Sequence, residues 1–188
     1  HIPGANGRGT NYVATDDRVY ILAGSTCHVL DPATGETLQE LQLPADESGQ
    51  SPEWGYIGVY EDFLLGGHGF ANYRQRNDLQ IESDAQLRRS RAGFGSKSLD
   101  RAASIGLVAF DRHTGEVLWQ AKAKHSFWHN GIVAGGGRVY CLDRIPELIE
   151  NTLRRRGITA KESYRIVSFD AVTGEQLWEI DDNIFGTW

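Results

Sequence analysis

At a few points of the chain, aromatic or imidazole side chains occur close in sequence to polar residues. Together, such side chains could bind a ligand. The candidates are Trp54, His68, Trp128, His129, Asn130 and Trp188. Indole rings stack on flat ligands, and imidazole and amide groups exchange hydrogen bonds with them. The alternative is that the rings fill a hydrophobic core and the polar groups bond to loop backbone, which is the commoner outcome for an aromatic stripe. The sequence identifies no catalytic residue.

A metal site is the second chemistry that the sequence suggests, because His125 and His129 are four residues apart. On an extended chain that spacing separates the two rings by about 13 Å. The ligands of a single ion cannot span such a distance, and only a helix would bring the rings together. Phe127 and Trp128 favour a strand here, so we expect no metal site.

Three turns of similar sequence join the predicted strands that must position these residues. They lie in residues 29–38, 109–119 and 168–178 and share the core Asp-x-x-Thr-Gly-Glu. The Asp side chain can accept bonds from the amides that follow it, and Gly adopts the left-handed conformation, so each core predicts a hairpin corner. Such repetition is typical of repeat proteins. The residues to which we assign this structural role are Asp31, Thr34, Gly35, Asp111, Thr114, Gly115, Trp119, Asp170, Thr173, Gly174 and Trp178.

The pattern Ala-x-Asp-x-x-Thr-Gly-x-x-x-Trp is complete in residues 109–119, and it resembles the tryptophan-docking signature of the pyrroloquinoline quinone (PQQ) type propeller repeat. The third copy has Ser168 in place of Ala, and the first has Val29 and Gln39 in place of Ala and Trp. The chain therefore resembles the quinoprotein alcohol dehydrogenase-like β-propellers, a superfamily with enzymatic and non-enzymatic members. The resemblance implies that the signature ties blade to blade, and that the protein is bacterial and periplasmic or located at the cell surface.

The strands between the corners predict an all-β fold, a β-propeller segment of four-stranded antiparallel blades. The blades occupy residues 11–43, 54–123 and 128–181, and residues 184–188 begin a further blade. A blade has about 40 residues, and closed rings have about four to eight blades. We therefore expect residues 1–188 to be one partial propeller domain of a longer protein.

Insertions interrupt the second and third blades between their second and third strands. Residues 71–104 contain seven basic and four acidic side chains, and residues 144–163 contain a segment from Pro146 to Gly157. An initial Pro, late arginines and a final Gly predict a short helix in this second inserted loop. Such connections lie on the same side of a propeller as the blade-to-blade crossings, and the corners lie on the other side. We expect binding to occur on the side that carries the insertions.

Composition excludes several classes of function. The net charge of −6 does not favour nucleic-acid binding, and no apolar run is long enough to span a membrane. Cys27 and Cys141 fall on strands of non-adjacent blades. Because such positions exceed disulfide distances, we predict two unpaired, buried thiols.

Two functions follow as hypotheses. The first is a binding or scaffolding module that contacts a protein, a peptide or a saccharide through the side that carries the insertions. The second is part of a PQQ- and calcium-dependent dehydrogenase that oxidises an alcohol or a sugar. The resemblance implies that such an enzyme needs adjacent cysteines against the quinone, a Trp floor, and Glu, Asn and Asp side chains around calcium. This sequence has no adjacent cysteines, so PQQ and calcium are implied by the resemblance alone.

Exposed sheet edges give a further expectation about partners. An open set of blades leaves unpaired strand edges at both ends. We therefore expect pairing with the remaining blades of the parent chain, or self-association.

Overall fold

Antiparallel strands dominate the computed structural model, which describes residues 11–46, 48–72, 99–145, 154–155, 157 and 164–181. In chain order the strands are β1 (Tyr12–Ala14), β2 (Val19–Ala23), β3 (Thr26–Leu30), β4 (Thr37–Gln42), β5 (Trp54–Tyr60), β6 (Phe63–His68), β7 (Ala71–Asn72), β8 (Leu99–Asp100), β9 (Ala103–Asp111), β10 (Val117–Gly135), β11 (Arg138–Arg144), β12 (Tyr164–Asp170) and β13 (Gln176–Ile180). The prediction of an all-β, antiparallel propeller segment is confirmed.

The first blade is a four-stranded sheet in the order β1-β2-β3-β4. Each strand pairs with the next one in the chain, and the final pairing of β3 with β4 contains a register shift next to Leu30. This shift lies at the Asp31 corner. A corner residue with positive φ commonly produces such a bulge, and Gly35 has a φ of 76°.

The second and third blades form one seven-stranded sheet in the order β13-β12-β11-β10-β9-β6-β5. Strand β10, 19 residues long, belongs to both blades. Its first half pairs with β9 and its second half with β11, and Phe127 pairs with both Ser104 and Asp143. The sequence predicts a break in the strand between residues 123 and 128. The backbone continues as a strand there because neither Gly nor Pro occurs between Glu116 and Gly131.

The insertion of the second blade starts and ends as a short ladder between β7 and β8, in which Ala71 pairs with Asp100. The rest of that insertion lies outside the described residues. So does most of the segment for which a helix is predicted. Of that segment, Arg154 and Arg155 are helical, and Gly157, with a φ of 70°, donates its N–H to the Arg154 carbonyl at 3.0 Å.

Two hydrophobic cores lie between the blades, one at each junction. The first junction packs the first blade against the second through residues that include Tyr20, Val29, Trp54, Val108 and Phe110. The second junction packs the second blade against the third through residues that include Leu107, Ala109, Trp119, Phe127 and Phe169. Successive side chains of a strand point to opposite faces. Strand β9 therefore sends alternate residues into the two cores, which explains its continuous apolar run.

Both cysteines are free and buried, as predicted. Cys27 belongs to the core of the first junction and Cys141 to that of the second. Burial raises the pKa of the Cys27 thiol to about 12, and it also raises the pKa of Cys141. These thiols are inert packing groups at neutral pH.

Candidate functional site

The described ends of both insertions and the two blade-to-blade connections meet on one side of the sheets, which we call the insertion face. At the first junction, Trp54 at the start of β5 pairs with His68 at the end of β6, and His68 Nε2 lies 3.1 Å from the Pro44 carbonyl oxygen. At the second, the middle of β10 bonds to Asp143 at the end of β11. The three corners lie at the opposite ends of the strands, as predicted from the sequence.

Asp143 fastens the second connection to the third blade. Its side chain is 0 % exposed, and its two carboxylate oxygens accept the backbone N–H groups of Lys124, His125 and Ser126 at 2.7–2.8 Å. Arg165 Nη2 donates to the same carboxylate at 2.8 Å and Arg165 Nη1 donates to Glu179. A buried charge needs this complete set of partners. Sequence reasoning missed Asp143, although an acidic residue at the end of the apolar strand Val139–Leu142 is a visible signal.

His129 and Ser104 form a buried polar pair below the insertion face. They are 2 % and 0 % exposed, and His129 Nε2 lies 2.9 Å from Ser104 Oγ. The backbone N–H of His129 donates to the Ala102 carbonyl at 2.9 Å. The ring centres of Tyr56 and Phe70 lie 6.0 and 6.2 Å from the centre of the imidazole. This enclosure keeps a substrate away from both atoms, so the pair holds β9 against β10 rather than forming a nucleophile and base.

Two arginines lie over aromatic rings where the insertions begin or end. Arg101 Cζ is 5.0 Å from the centre of the Phe70 ring, and its Nη1 is 3.6 Å from a carboxylate oxygen of Glu53. Arg144 Cζ is 4.7 Å from the centre of the Trp128 ring. A cation over a ring is stabilised by about 0.5–2 kcal/mol. Arg101 is exposed, whereas Arg144 is only 7 % exposed, so the accessible cation beside an aromatic ring is Arg101 at the first insertion.

The structure places Trp54 in the hydrophobic core of the first junction rather than at the surface. Its ring stacks on Phe110 at 5.4 Å, and its Nε1–H donates to the Ser25 carbonyl at 3.2 Å. It is only 4 % exposed. Trp54 therefore fills the space between two blades.

The other ligand-face candidates differ in exposure. Along β10, Trp128 is partly buried, His129 is buried and Asn130 is exposed. His68 is partly buried beside Pro44, and Trp188 lies outside the described residues. Trp128, Asn130 and His68 are thus the predicted residues that present surface on the insertion face.

The three corners have the same hydrogen bonds. In each, the Asp Oδ1 accepts two backbone N–H groups at 2.7–2.9 Å, and the Gly N–H donates to the Asp carbonyl at 2.8–2.9 Å. These backbone hydrogen bonds, and most of all the one from the Thr amide, lower the pKa of Asp31, Asp111 and Asp170. The corners are therefore rigid and anionic at neutral pH.

Each corner that follows a blade junction receives a side chain from the preceding blade. At the second junction, Trp119 Nε1–H donates to the Ala171 carbonyl at 2.9 Å, and a Cβ on Gly174 would lie 2.6 Å from the indole. At the first, Gln39 Nε2 donates to the Thr114 carbonyl at 2.9 Å. Gln39 therefore contacts the next corner although it differs from the repeat pattern.

The described residues do not fit the requirements for PQQ and calcium. Among them, no group of three or more His, Cys, Asp or Glu side chains could hold a metal ion. The two cysteines lie in separate cores and cannot lie together against a quinone ring. His125 and His129 both lie on the strand β10. In the part of the chain that the structure describes, no helix has the length and apolar character needed to cross a membrane.

The sheets, their shared corners and the packing of blade on blade define a PQQ-like repeat β-propeller segment. Residues 76–185 match the family described as outer membrane protein assembly factor BamB, and the chain belongs to this family. A search among curated protein sequences finds no significant match.

Solved structures with a similar fold include a quinohemoprotein alcohol dehydrogenase from Pseudomonas putida HK5, with 13 % identity, a TM-score of 0.54, and coverage of 92 % of this chain and 26 % of its own. BamB from Moraxella catarrhalis has 15 % identity, a TM-score of 0.43, and coverage of 91 % and 35 %. The chain thus spans about a quarter to a third of the length of these proteins.

Proposed function

We propose that this chain is a binding and scaffolding module, and that its insertion face contacts a partner protein. The observation that supports this proposal most directly is the meeting of both insertions and both blade connections on one side of a rigid scaffold. Loops held in this way are common binding elements. Membership of a family described as an outer membrane protein assembly factor favours a protein partner, and it favours the periplasm or the cell surface as the location.

The chemistry of the insertion face suggests what kind of segment it would bind. The exposed Arg101 lies over the partly buried ring of Phe70, so positive charge and aromatic surface occur together at the first insertion. Extended segments with carboxylate and aromatic side chains are complementary to such a surface, because arginine pairs with carboxylates and stacks on rings. A saccharide would use the rings through stacking alone and would gain little from the cations.

The fixed backbone of the face supports this role energetically. Asp143 holds the β10 connection through three N–H groups, and the His129–Ser104 pair joins β9 to β10. A preorganised surface loses less conformational entropy when a partner binds. Binding through the insertion face therefore does not require rearrangement of the sheets.

Site-specific photo-crosslinking in the bacterial cell would test the proposal. A photoreactive amino acid would replace Arg101, Lys124 or Asn130 on the insertion face, and matched variants would carry it at the exposed corner residues Glu36, Glu116 or Glu175. We expect the same partner protein to be crosslinked from all insertion-face positions and not from the corners. Equal crosslinking from both sides, or crosslinking to no protein, would contradict the proposal.

The dehydrogenase hypothesis predicts a different result. Titration of the chain with PQQ and calcium, followed by absorbance and melting temperature, should give no saturable change if the chain is a scaffold. A stoichiometric spectral shift that requires calcium would favour the enzyme. The lack of a metal-binding group among the described residues is the reason for our expectation.

A further inference from the structure

Arg101 is an exposed arginine that the structure fixes at the end of the first insertion. It lies in the turn between β8 and β9, and its side chain is 53 % exposed. Its guanidinium lies over the Phe70 ring, and the centre of that ring is 6.2 Å from the centre of the buried His129 imidazole. An arginine held over a ring keeps N–H donors that can bind a carboxylate. Arg101 therefore presents a positioned cation to the solvent.

Glu53 forms a loose ion pair with this arginine. Its Oε2 lies 3.6 Å from Arg101 Nη1, and its side chain is also 53 % exposed. Charge-assisted hydrogen bonds between a nitrogen and a carboxylate are shorter, at about 2.7–2.9 Å. Glu53 is the one ion-pair partner of Arg101 within the part of the chain that the structure describes. A carboxylate that approaches Arg101 with better geometry can therefore replace Glu53.

The blade connection that carries Glu53 has a fixed backbone. Within it, Asp46 Oδ1 accepts the N–H of Ser48 at 2.8 Å. At its end, the N–H of Trp54 donates to a carbonyl in the turn between β2 and β3 at 3.2 Å. A tethered group has a high effective concentration at a neighbouring site. Glu53 therefore remains beside the arginine when no partner is bound.

The turns on the corner side carry an excess of negative charge. Contacts between them, such as that of Arg112 with Asp17, place them all on this side. They contain ten Asp and Glu residues and three Arg residues, in residues 15–18, 31–36, 60–63, 111–116, 135–138 and 170–175. This excess is larger than the net charge of the whole chain, which is −6. An acidic segment is therefore repelled from the corner side and directed toward the insertion face.

We infer that Arg101 recognises a carboxylate of the partner, and that Glu53 is an internal competitor which this carboxylate displaces. The inference rests on the proposed contact of a partner protein with the insertion face. It assigns an acidic segment to that partner, and it identifies Glu53 as the residue that limits the affinity. In the complex Glu53 moves into solvent, where an exposed carboxylate is well hydrated.

The two residues should therefore have opposite effects on binding. Glu53→Gln removes the competing charge and keeps the size of the side chain. Binding should become about 2–5-fold tighter, a modest gain because exposed ion pairs are weak. Arg101→Gln removes the recognising charge, and binding should become about tenfold weaker or more. A pair with a purely structural role would instead give a loss of binding in both variants.

Photo-crosslinking in the bacterial cell would measure these effects. The photoreactive amino acid would replace Asn130, which is exposed on the insertion face, in the otherwise unchanged chain, in both single variants and in the double variant. The ratio of crosslinked to free chain at equal expression reports the relative affinity. The matched control is Glu36→Gln, which removes one exposed negative charge from a corner and should leave the ratio unchanged. Circular dichroism of each purified variant would verify its fold.

The double variant separates competition from a general effect of charge. Without Arg101, Glu53 has no cation to compete for, so the double variant should crosslink as weakly as Arg101→Gln alone. Three results would overturn this inference and leave the proposed function standing: a ratio that Glu53→Gln does not raise, a ratio that Arg101→Gln does not lower, or a gain from Glu53→Gln that persists without Arg101. No crosslink from any of these proteins would overturn both.

Discussion

The two blade junctions achieve the same contact with different side chains. At the second junction a buried indole donates to a carbonyl and lies against Gly174, and at the first the partly exposed amide of Gln39 donates to the equivalent turn. The first junction compensates with other interactions. Arg112 Nη1 donates across the junction to Asp17 Oδ1 at 2.7 Å, and within the second blade Arg112 Nε donates to the Glu61 carbonyl at 3.0 Å.

The difference shows that the repeat conserves a contact position more strictly than a residue type. A large ring contributes buried apolar area, and an amide contributes mainly one hydrogen bond. The second junction should therefore depend on a single side chain. In the first junction the dependence should be distributed over Gln39, Arg112 and the stacked pair of Trp54 and Phe110.

Truncation of the junction residues should give the largest effects. Trp119→Ala should lower the free energy of unfolding by about 3–5 kcal/mol, because it leaves a cavity and an unpaired carbonyl. Gln39→Ala should cost only about 0.5–1.5 kcal/mol, the net value of one partly exposed hydrogen bond. Urea denaturation followed by circular dichroism would measure both. Equal losses would show that the two junctions do not differ as we describe.

Addition of one methyl group at the corners should give intermediate, graded effects. Gly35, Gly115 and Gly174 all have φ between 71° and 78°, so Ala at each position pays a similar backbone strain of about 1–2 kcal/mol. The added Cβ would meet open space at Gly35, flexible side-chain ends of Gln39 and Leu41 at Gly115, and the Trp119 ring at Gly174.

The expected order of destabilisation by Ala is therefore Gly35, then Gly115, then Gly174. The last should exceed the first by about 1–3 kcal/mol because of overpacking. Thermal unfolding of the three variants under one buffer condition would provide the ranking. A Gly174→Ala protein as stable as Gly35→Ala would contradict the packing of Trp119 on this corner.

Acidification should produce the smallest effect, and it should act on the first junction. The hydrogen bond from Arg112 lowers the pKa of Asp17 to about 2. Because the folded-state pKa is below the unfolded value, the contribution of Asp17 is present above about pH 4 and is lost as the pH falls toward 2. Asp17 is 40 % exposed, so solvent screening limits this contribution to under about 1 kcal/mol.

Comparison of wild type with Asp17→Asn between pH 7 and pH 2 would isolate this effect from those of the corner carboxylates. The stability difference between the two proteins should shrink as the pH falls below 4. A difference that stays constant over this range would mean that the Asp17–Arg112 pair does not contribute to the junction.

Most of the fold could be predicted from the sequence because its signals are local. Asp, Thr and Gly at fixed offsets determine the three corners, and alternation or apolar runs identify the strands between them. The corner hydrogen bonds around Asp31, Asp111 and Asp170 follow directly from those residue types.

Less of the candidate site could be predicted, because it depends on contacts between residues distant in sequence. Nothing local to Gln39 indicates the Thr114 carbonyl that it meets, and Trp54 has the same local signature whether it stacks on Phe110 or on a ligand. Likewise, no local signal in the sequence predicts that the Asp143 carboxylate accepts the backbone N–H groups of residues 124–126.

The continuous strand β10 has a consequence for how the repeats can vary in length. The ends of β10 pair in two different blades, and the pairing shifts between Lys122 and Phe127. Side chains alternate with a period of two, so deletion of one residue in this stretch would turn inward-facing groups of the third blade outward. The insertions follow residues 72 and 145, at the ends of strands, whereas the residues from 123 to 126 set the phase between two blades, and a change in their number should disturb the pairing of the third blade.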